Sequence, residues 1–459
     1  MIDSCPVADI HVHAQGTIVP ATAWELGLRN EFLTVADGAW RDGPNAIGQS
    51  DPVNRYCRIF CNEEGGKVTL EAAGHPQSIA YNYHCLPLKD DIFSGFDAVM
   101  ATVQGHRHPP GGIRTDDDYR FVMRRYLDDC IANHVRYTEA LQNIHIAHVL
   151  HPELPPREAR ARFALLCESI VADFAGRGVV LRFHHCPNKT SKSNLPGALA
   201  SRSLEWTEWL EEVRETAPNI FVALNSAGHE EQEKKDGGPY AMEQAYTAAR
   251  AKGFGAEAHA GEGIGVEHML ATIRSLPVTR IAHGVQVIES EDAIREVRER
   301  GITLIMMPCI NVTLGSPIHV KEDPAGDMPH AKLDAGGERD PSVVTKHITH
   351  LASHPLFPLL REHGLKIALA TDNPGMGGRS YKEQAKLLAG IGYDFPAGFP
   401  PLSAEELALC NLNAIDAAFC RQEIKENFVR ELSGWMKSNG VQVTHHLLNT
   451  ATGPIKASL

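Results

Sequence analysis

Eight short apolar runs, separated by helical or loop sequence, constrain the fold of this chain more than any other feature. They are VADIHVH (7–13), HVRYTEAL (134–141), GVVLRFHH (178–185), NIFVALN (219–225), FGAEAHA (254–260), VTRIAHG (278–284), ITLIMMP (302–308) and LKIALATD (365–372). Their length and their content of Val, Ile and aromatic residues suit buried strands. Between several of them, apolar residues recur at helical spacing: EARARFALLCESIVADFAGRG (158–178), AMEQAYTAARAKG (241–253) and SEDAIREVRERG (290–301). All three stop at a glycine, and the last begins with a serine in capping position. Strands alternating with helices make parallel βαβ units. Eight of them predict an α/β fold, a (β/α)8 TIM barrel.

The spacing is uneven. Residues 14–133 are too many for one crossover, and 309–364 form a second long gap. The sequence therefore reads as a single barrel domain over residues 1–459. It carries long insertions after strand 1 and strand 7, at about 28–90 and 315–350, and a helical C-terminal tail from about 403. The stretches GAWRDGPNAIGQSDP (38–52), HRHPPGGIRTDDD (106–118) and SPIHVKEDPAGDMPHAKLDAGGERDP (316–341) read as loops or insertion, not core. Lys346, His347 and His350 read as a solvated, irregular surface.

Charge narrows the partners. With 44 Lys and Arg against 57 Asp and Glu, the net charge is −13. That argues against nucleic acid or an anionic membrane as the main partner. No apolar stretch is long enough to span a bilayer, and MIDSCPVADIHVH lacks the basic and apolar regions of a signal peptide. A cytoplasmic protein is the expectation. The ten cysteines contain no C-x-x-C, so reduced thiols are expected rather than a zinc ribbon or a disulfide framework.

In a barrel, chemistry gathers at the C-terminal ends of the strands. There the sequence places His11 and His13, His184 and His185, His259 with Glu262 just beyond, His283, and Asp372 followed by Asn373. His11 and His13 are two apart on a strand and share a face. With His259 and Asp372 they offer three nitrogens and an oxygen, a donor set that suits a catalytic zinc with room for water. Glu262 and His283 are then the groups available to move protons. Each residue has an ordinary structural alternative: His283 as a hydrogen-bonded core histidine, Asp372 as a helix cap, HAGE as a turn. The conjunction of four strand ends argues against them. His184 and His185 receive no role.

These residues carry a family resemblance. His11-Val12-His13, HAGE (259–262), RIAHG (280–284) and ATDNP (370–374) are similar, in order and spacing, to the signature blocks of the adenosine deaminase family in the metal-dependent amidohydrolase superfamily. DIFSGFDAV (91–99) resembles that family's lid helix, NSAGHE (225–230) its L-A-G-D-E stretch, MPCIN (307–311) its C-P-x-S-N turn, and HPL (354–356) the start of its last barrel helix. The resemblance implies a hydrolytic deaminase holding one Zn2+ per subunit on His11, His13, His259 and Asp372. Glu262 would protonate the ring nitrogen beside the reacting carbon, and His283 would hold and help deprotonate the attacking water. Substrate contacts would fall to Gln15, Gly228 and Asn373.

The departures concern the substrate. Gln15 stands where the family has a carboxylate, Asp in nucleoside deaminases and Glu in adenine-type ones. Asn373 stands where it has a second aspartate, and His229 where it has an acid. The leading expectation is a 6-aminopurine nucleoside, adenosine or a modified adenosine, with ammonia released and the 6-oxo product left. The alternatives are a free base or other amino-heterocycle such as adenine or a pterin, then a non-deaminating amidohydrolase. Against the last, no lysine ends strand four, where a carbamylated metal bridge is often found in that superfamily. The insertions are long enough to reshape the pocket mouth or to form a homodimer contact.

Overall fold

A computed structural model of the chain describes residues 2–31, 33–36, 39–42, 113–189, 197–321, 343–377 and 379–442. All eight runs form strands: β1 (Val7–His13), β2 (Val135–Gln142), β3 (Val180–His185), β4 (Phe221–Leu224), β5 (Gly255–Ala260), β6 (Arg280–His283), β7 (Thr303–Met306) and β8 (Ile367–Leu369). They lie in chain order in one eight-stranded parallel sheet. The ring closes just past β8. There Val12 bridges to Asp372, the His13 N–H donates to the Asp372 carbonyl at 2.7 Å, and the Asp372 N–H donates to the His11 carbonyl at 3.0 Å. This is the (β/α)8 barrel that the alternating pattern predicts, and its seam runs through three of the proposed metal ligands.

The helices form because their apolar residues recur on one face. In Pro156–Gly176, Phe163, Cys167, Ile170 and Phe174 are buried at spacings of three or four. A proline in the first turn suits the helix start, where its missing N–H has no partner to lose. Glu291–Glu299 is capped by Ser290, whose side chain accepts from the Ala293 N–H. In the tail, Ser403 and Glu406 form a capping box that starts Ala404–Ala417, and Gln422–Asn439 follows. The loop between these two helices closes the barrel floor: the Phe419 N–H donates to Glu139 at 2.6 Å, and the Phe419 ring lies 4.0 Å from the Arg280 guanidinium.

Two loop expectations need correction. Residues Ala39–Asp42 pair antiparallel with Leu33–Ala36. TDDD opens the helix Asp116–Ala132, because Thr115 and Asp118 cap each other reciprocally. The second insertion also contains regular structure, since Pro317–Lys321 pairs antiparallel with Val343–His347. Lys346 and His347 therefore sit exposed on a strand, not in an irregular segment. The β-branched VVT of VVTKH was the signal for it. Residues 43–112 and 322–342, including DIFSGFDAV, lie outside the described residues.

Glu289, at the end of a short 3-10 turn (Val285–Glu289), joins the second insertion to the barrel. Its carboxyl accepts the His319 N–H at 2.9 Å and the Val266 N–H at 3.0 Å. Beside it, Gln286 accepts the Gly265 N–H at 2.7 Å and donates to the Pro317 carbonyl at 3.1 Å. Burial pushes the Glu289 carboxyl up to about 8 from its ordinary 4.5. Between those values the folded chain holds a proton that the unfolded chain has released, so this group makes stability fall as pH rises. Glu289→Gln, which cannot ionise, is expected to flatten that decline by up to one proton. Denaturant unfolding across pH 5 to 8, at roughly one-unit steps, checks it. An unchanged slope would contradict the assignment.

Candidate metal and proton-transfer site

The structure brings His11, His13, His259 and Asp372 together at the C-terminal mouth of the barrel, with one donor atom from each lying within 4.8 Å of the others. Asp372 Oδ1 is 3.2 Å from His13 Nε2 and 3.5 Å from His11 Nε2. His13 Nε2 is 3.3 Å from His259 Nε2. His11 Nε2 and Asp372 Oδ1 are buried with no hydrogen-bond partner. Buried polar atoms are ordinarily paired, so this convergence fits a cation. Burial, then the surrounding imidazoles, push His259 well below its usual range and keep it neutral. Burial alone would raise Asp372, but the His11 and His13 imidazoles beside it hold it well below the carboxylate range. A neutral imidazole and an ionised carboxylate are the forms that bind a metal.

The far nitrogens are anchored. His11 Nδ1 donates to Glu257 Oε1, and His259 Nδ1 lies 3.0 Å from Asn225 Oδ1. Both anchors leave the Nε2 lone pair facing the cluster. Glu257 belongs to a charged layer below the site, where Arg280 donates to Glu257 at 2.5 Å and to Glu139 at 2.7 Å. His184 Nε2 lies 2.8 Å from Glu139. Burial would raise the Glu257 carboxyl, but Arg280 and His11 hold it down at about 2. The sequence reading quoted Glu139, Glu257, Asn225 and Arg280 only within strand runs or motifs and gave them no role. The available signal was a charged residue inside a short apolar strand, which must be paired if buried.

Glu262 and His283 face each other beside the cluster, 3.5 Å apart. Glu262 keeps 15% of its side chain exposed, so it opens toward the pocket. Burial, then the carboxylates of Asp372 and Glu230, push it well above the ordinary range. Glu230 also accepts the N–H groups of Gly263 at 2.8 Å and Ile264 at 3.1 Å, fixing the loop that carries Glu262. Gly261 is required in that loop. Its φ is +73°, and an added Cβ would lie 2.7 Å from Met269 Sδ. His283 and Asp372 adopt left-handed backbone, φ 66° and 60°, an uncommon conformation for residues other than glycine that clusters at functional sites.

The expected substrate contacts lie nearby. Gln15 is buried in the 3-10 turn Gln15–Thr17 that follows β1. Asn373 is buried, its Oδ1 has no hydrogen-bond partner, and an added Cβ on Gly16 would lie 2.1 Å from that oxygen. Gly228 is exposed at the rim with φ 121°, and His229 precedes the helix Glu230–Lys235. His184 belongs to the charged layer. His185 turns to the other face, where its Nδ1 accepts the Ile144 N–H at 3.2 Å and its ring packs on Trp209. Neither is among the clustered donors.

The chain is similar to known deaminases in sequence and in fold. Residues 111–336 match the model of a family described as adenosine deaminase. A relative named adenine deaminase, from Mesorhizobium japonicum, is 28% identical over 191 residues, 42% of this chain and 47% of that protein. The chain spans about half the length of the curated relatives it matches. A solved structure of an adenine deaminase from Arthrobacter aurescens superposes with TM-score 0.63 at 19% identity, covering 94% of this chain and 99% of that one. A cog1816 amidohydrolase from Burkholderia ambifaria, solved with bound Zn, superposes with TM-score 0.61 at 17% identity, covering 96% and 92%. No helix among the described residues is long and apolar enough to cross a membrane.

Proposed function

We propose that this chain, which belongs to the adenosine deaminase family, is a zinc-dependent hydrolytic deaminase of a 6-aminopurine. The observation that carries the reading is the convergence of four donor atoms, two of them buried and unpartnered, beside a carboxyl whose hold on its proton is strengthened by burial and by the neighbouring carboxylates. His11, His13, His259 and Asp372 would hold the ion, and three nitrogens with one oxygen suit zinc. Once bound, a divalent ion of this kind supplies a water activated at neutral pH. Glu262 gives its proton to the ring nitrogen next to the reacting carbon, which makes that carbon electrophilic. His283, across from Glu262, holds the water in line. Water adds, the exocyclic C–N bond breaks, ammonia leaves, and the 6-oxo product remains. The charged layer of Glu257, Glu139 and Arg280 keeps His11 aimed.

The first substrate we infer is adenosine or a modified adenosine, read by Gln15, the exposed Gly228 backbone and Asn373. A second reading, the free base adenine, is favoured by Gln15. It has the length of the glutamate of adenine-type enzymes, and two of the proteins compared bear that name. Comparing kcat/KM for adenosine, N6-substituted adenosines, AMP and adenine separates the two. A site built on hydrogen bonds to a substrate rejects analogues lacking them by about 10⁴-fold or more. A preference for adenosine supports the nucleoside reading, and a preference for adenine overturns it.

A further inference from the structure

We propose that Asn311 and His354 are positioning residues that fix His283 in the tautomer with its proton on Nε2, making it a hydrogen-bond donor toward the reacting atoms. The inference rests on the reading of His283 as a proton-transfer or water-holding group, and it refines that role from base to donor.

The chain of bonds leaves one solution. The Leu356 backbone N–H donates to His354 Nδ1 at 3.0 Å. A backbone N–H is only a donor, so Nδ1 must present its lone pair and the proton of a neutral His354 must sit on Nε2. Burial keeps His354 neutral, pushing it down to about 3. His354 Nε2–H then donates to Asn311 Oδ1 at 3.2 Å. That fixes the amide, since the flipped form would set an N–H against an N–H. The Asn311 amide nitrogen donates to His283 Nδ1 at 3.1 Å and to Ser316 Oγ at 3.1 Å. Nδ1 of His283 is therefore an acceptor, and its proton lies on Nε2, facing Glu262 at 3.5 Å. Asn311, Ser316, His354 and His283 are all at most 1% exposed, so water does not compete for these bonds.

The consequence is chemical. A neutral imidazole with Nε2–H has no lone pair there to take a proton from the attacking water. It can hold the water's oxygen and stabilise charge that grows on it, which favours the transition state over the ground state. Asn311→Asp would reverse the sense of the chain, because a carboxylate accepts and draws the proton to His283 Nδ1.

The test uses the zinc-loaded full chain labelled with 15N at histidine. Long-range 1H–15N correlation reads which nitrogen carries the proton, and His283 is assigned by the signals lost in His283→Gln. The expected result is an unprotonated Nδ1 and a protonated Nε2 in the unaltered protein, with Nδ1 becoming protonated in Asn311→Asp. In the same variant kcat falls on the order of 10²-fold while KM changes little. His354→Gln, which retains a donor for Asn311 Oδ1, keeps more activity than His354→Ala. A proton on Nδ1 in the unaltered protein, or an unprotonated Nδ1 in Asn311→Asp, overturns the proposal. The spectrum of the unaltered protein decides even if a variant fails to fold. Absence of turnover on every aminopurine would remove the proposed reaction while leaving the tautomer decided by the spectrum.

Discussion

Glu262→Gln is expected to keep the metal and lose turnover by about 10²–10⁴-fold, the usual worth of a positioned general acid. The substitution preserves shape, so the loop held by Glu230 and the close approach at Gly261 stay in place. What it removes is a carboxyl at the pocket whose proton is held more tightly than usual by burial and by the carboxylates of Asp372 and Glu230. An amide can hydrogen-bond a ring nitrogen but has no acidic proton to give it. Metal content by elemental analysis and kcat by ammonia release check the two halves separately. Near-normal turnover would mean the proton comes from elsewhere.

His11→Ala is expected to have the opposite signature, with metal and turnover lost together. It deletes one of four converging donors and also takes one hydrogen-bond partner from the buried Glu257 carboxylate, leaving it Arg280 and Asn225. The remaining donors would leave an open, poorly balanced site, and activity should fall to near the uncatalysed level. Dialysis against metal-free buffer followed by metal analysis reads this directly. Stoichiometric zinc retained in His11→Ala would show that His11 is not a ligand.

Much of the fold was legible because its signals are local. Seven of the eight strands lie within their apolar runs and β2 passes its run by one residue, Gln142, while Ser290 and Ser403 mark helix starts where a capping side chain was due. The seam between β8 and β1 was not legible, since no local pattern says that Asp372 bonds the backbone of His11 and His13. The hairpin 317–321/343–347 was missed because Pro, Gly and charge in the intervening sequence masked two short β-branched runs.

The site divides in the same way. His11, His13, His259, Glu262, His283 and Asp372 could be picked out because each ends a strand or follows one. Glu139, Glu257 and Arg280 sit within strands, where the apolar neighbours hid them, and only the fold shows one guanidinium bridging two carboxylates from different strands. Asn311 and His354 were visible as fragments of MPCIN and HPL. Their link to His283 depends on contacts made across 28 and 43 residues of chain.

The most direct test is ammonia release by the purified, zinc-loaded full chain. The panel is adenosine, deoxyadenosine, N6-substituted adenosines, AMP, adenine and pterins, with Glu262→Gln in parallel. The account predicts sustained ammonia release from at least one 6-aminopurine, with the 6-oxo product formed in equal amount and the signal lost in the variant. Folded, zinc-bound protein that releases ammonia from none of them, or a variant that releases it as fast as the unaltered chain, would contradict it.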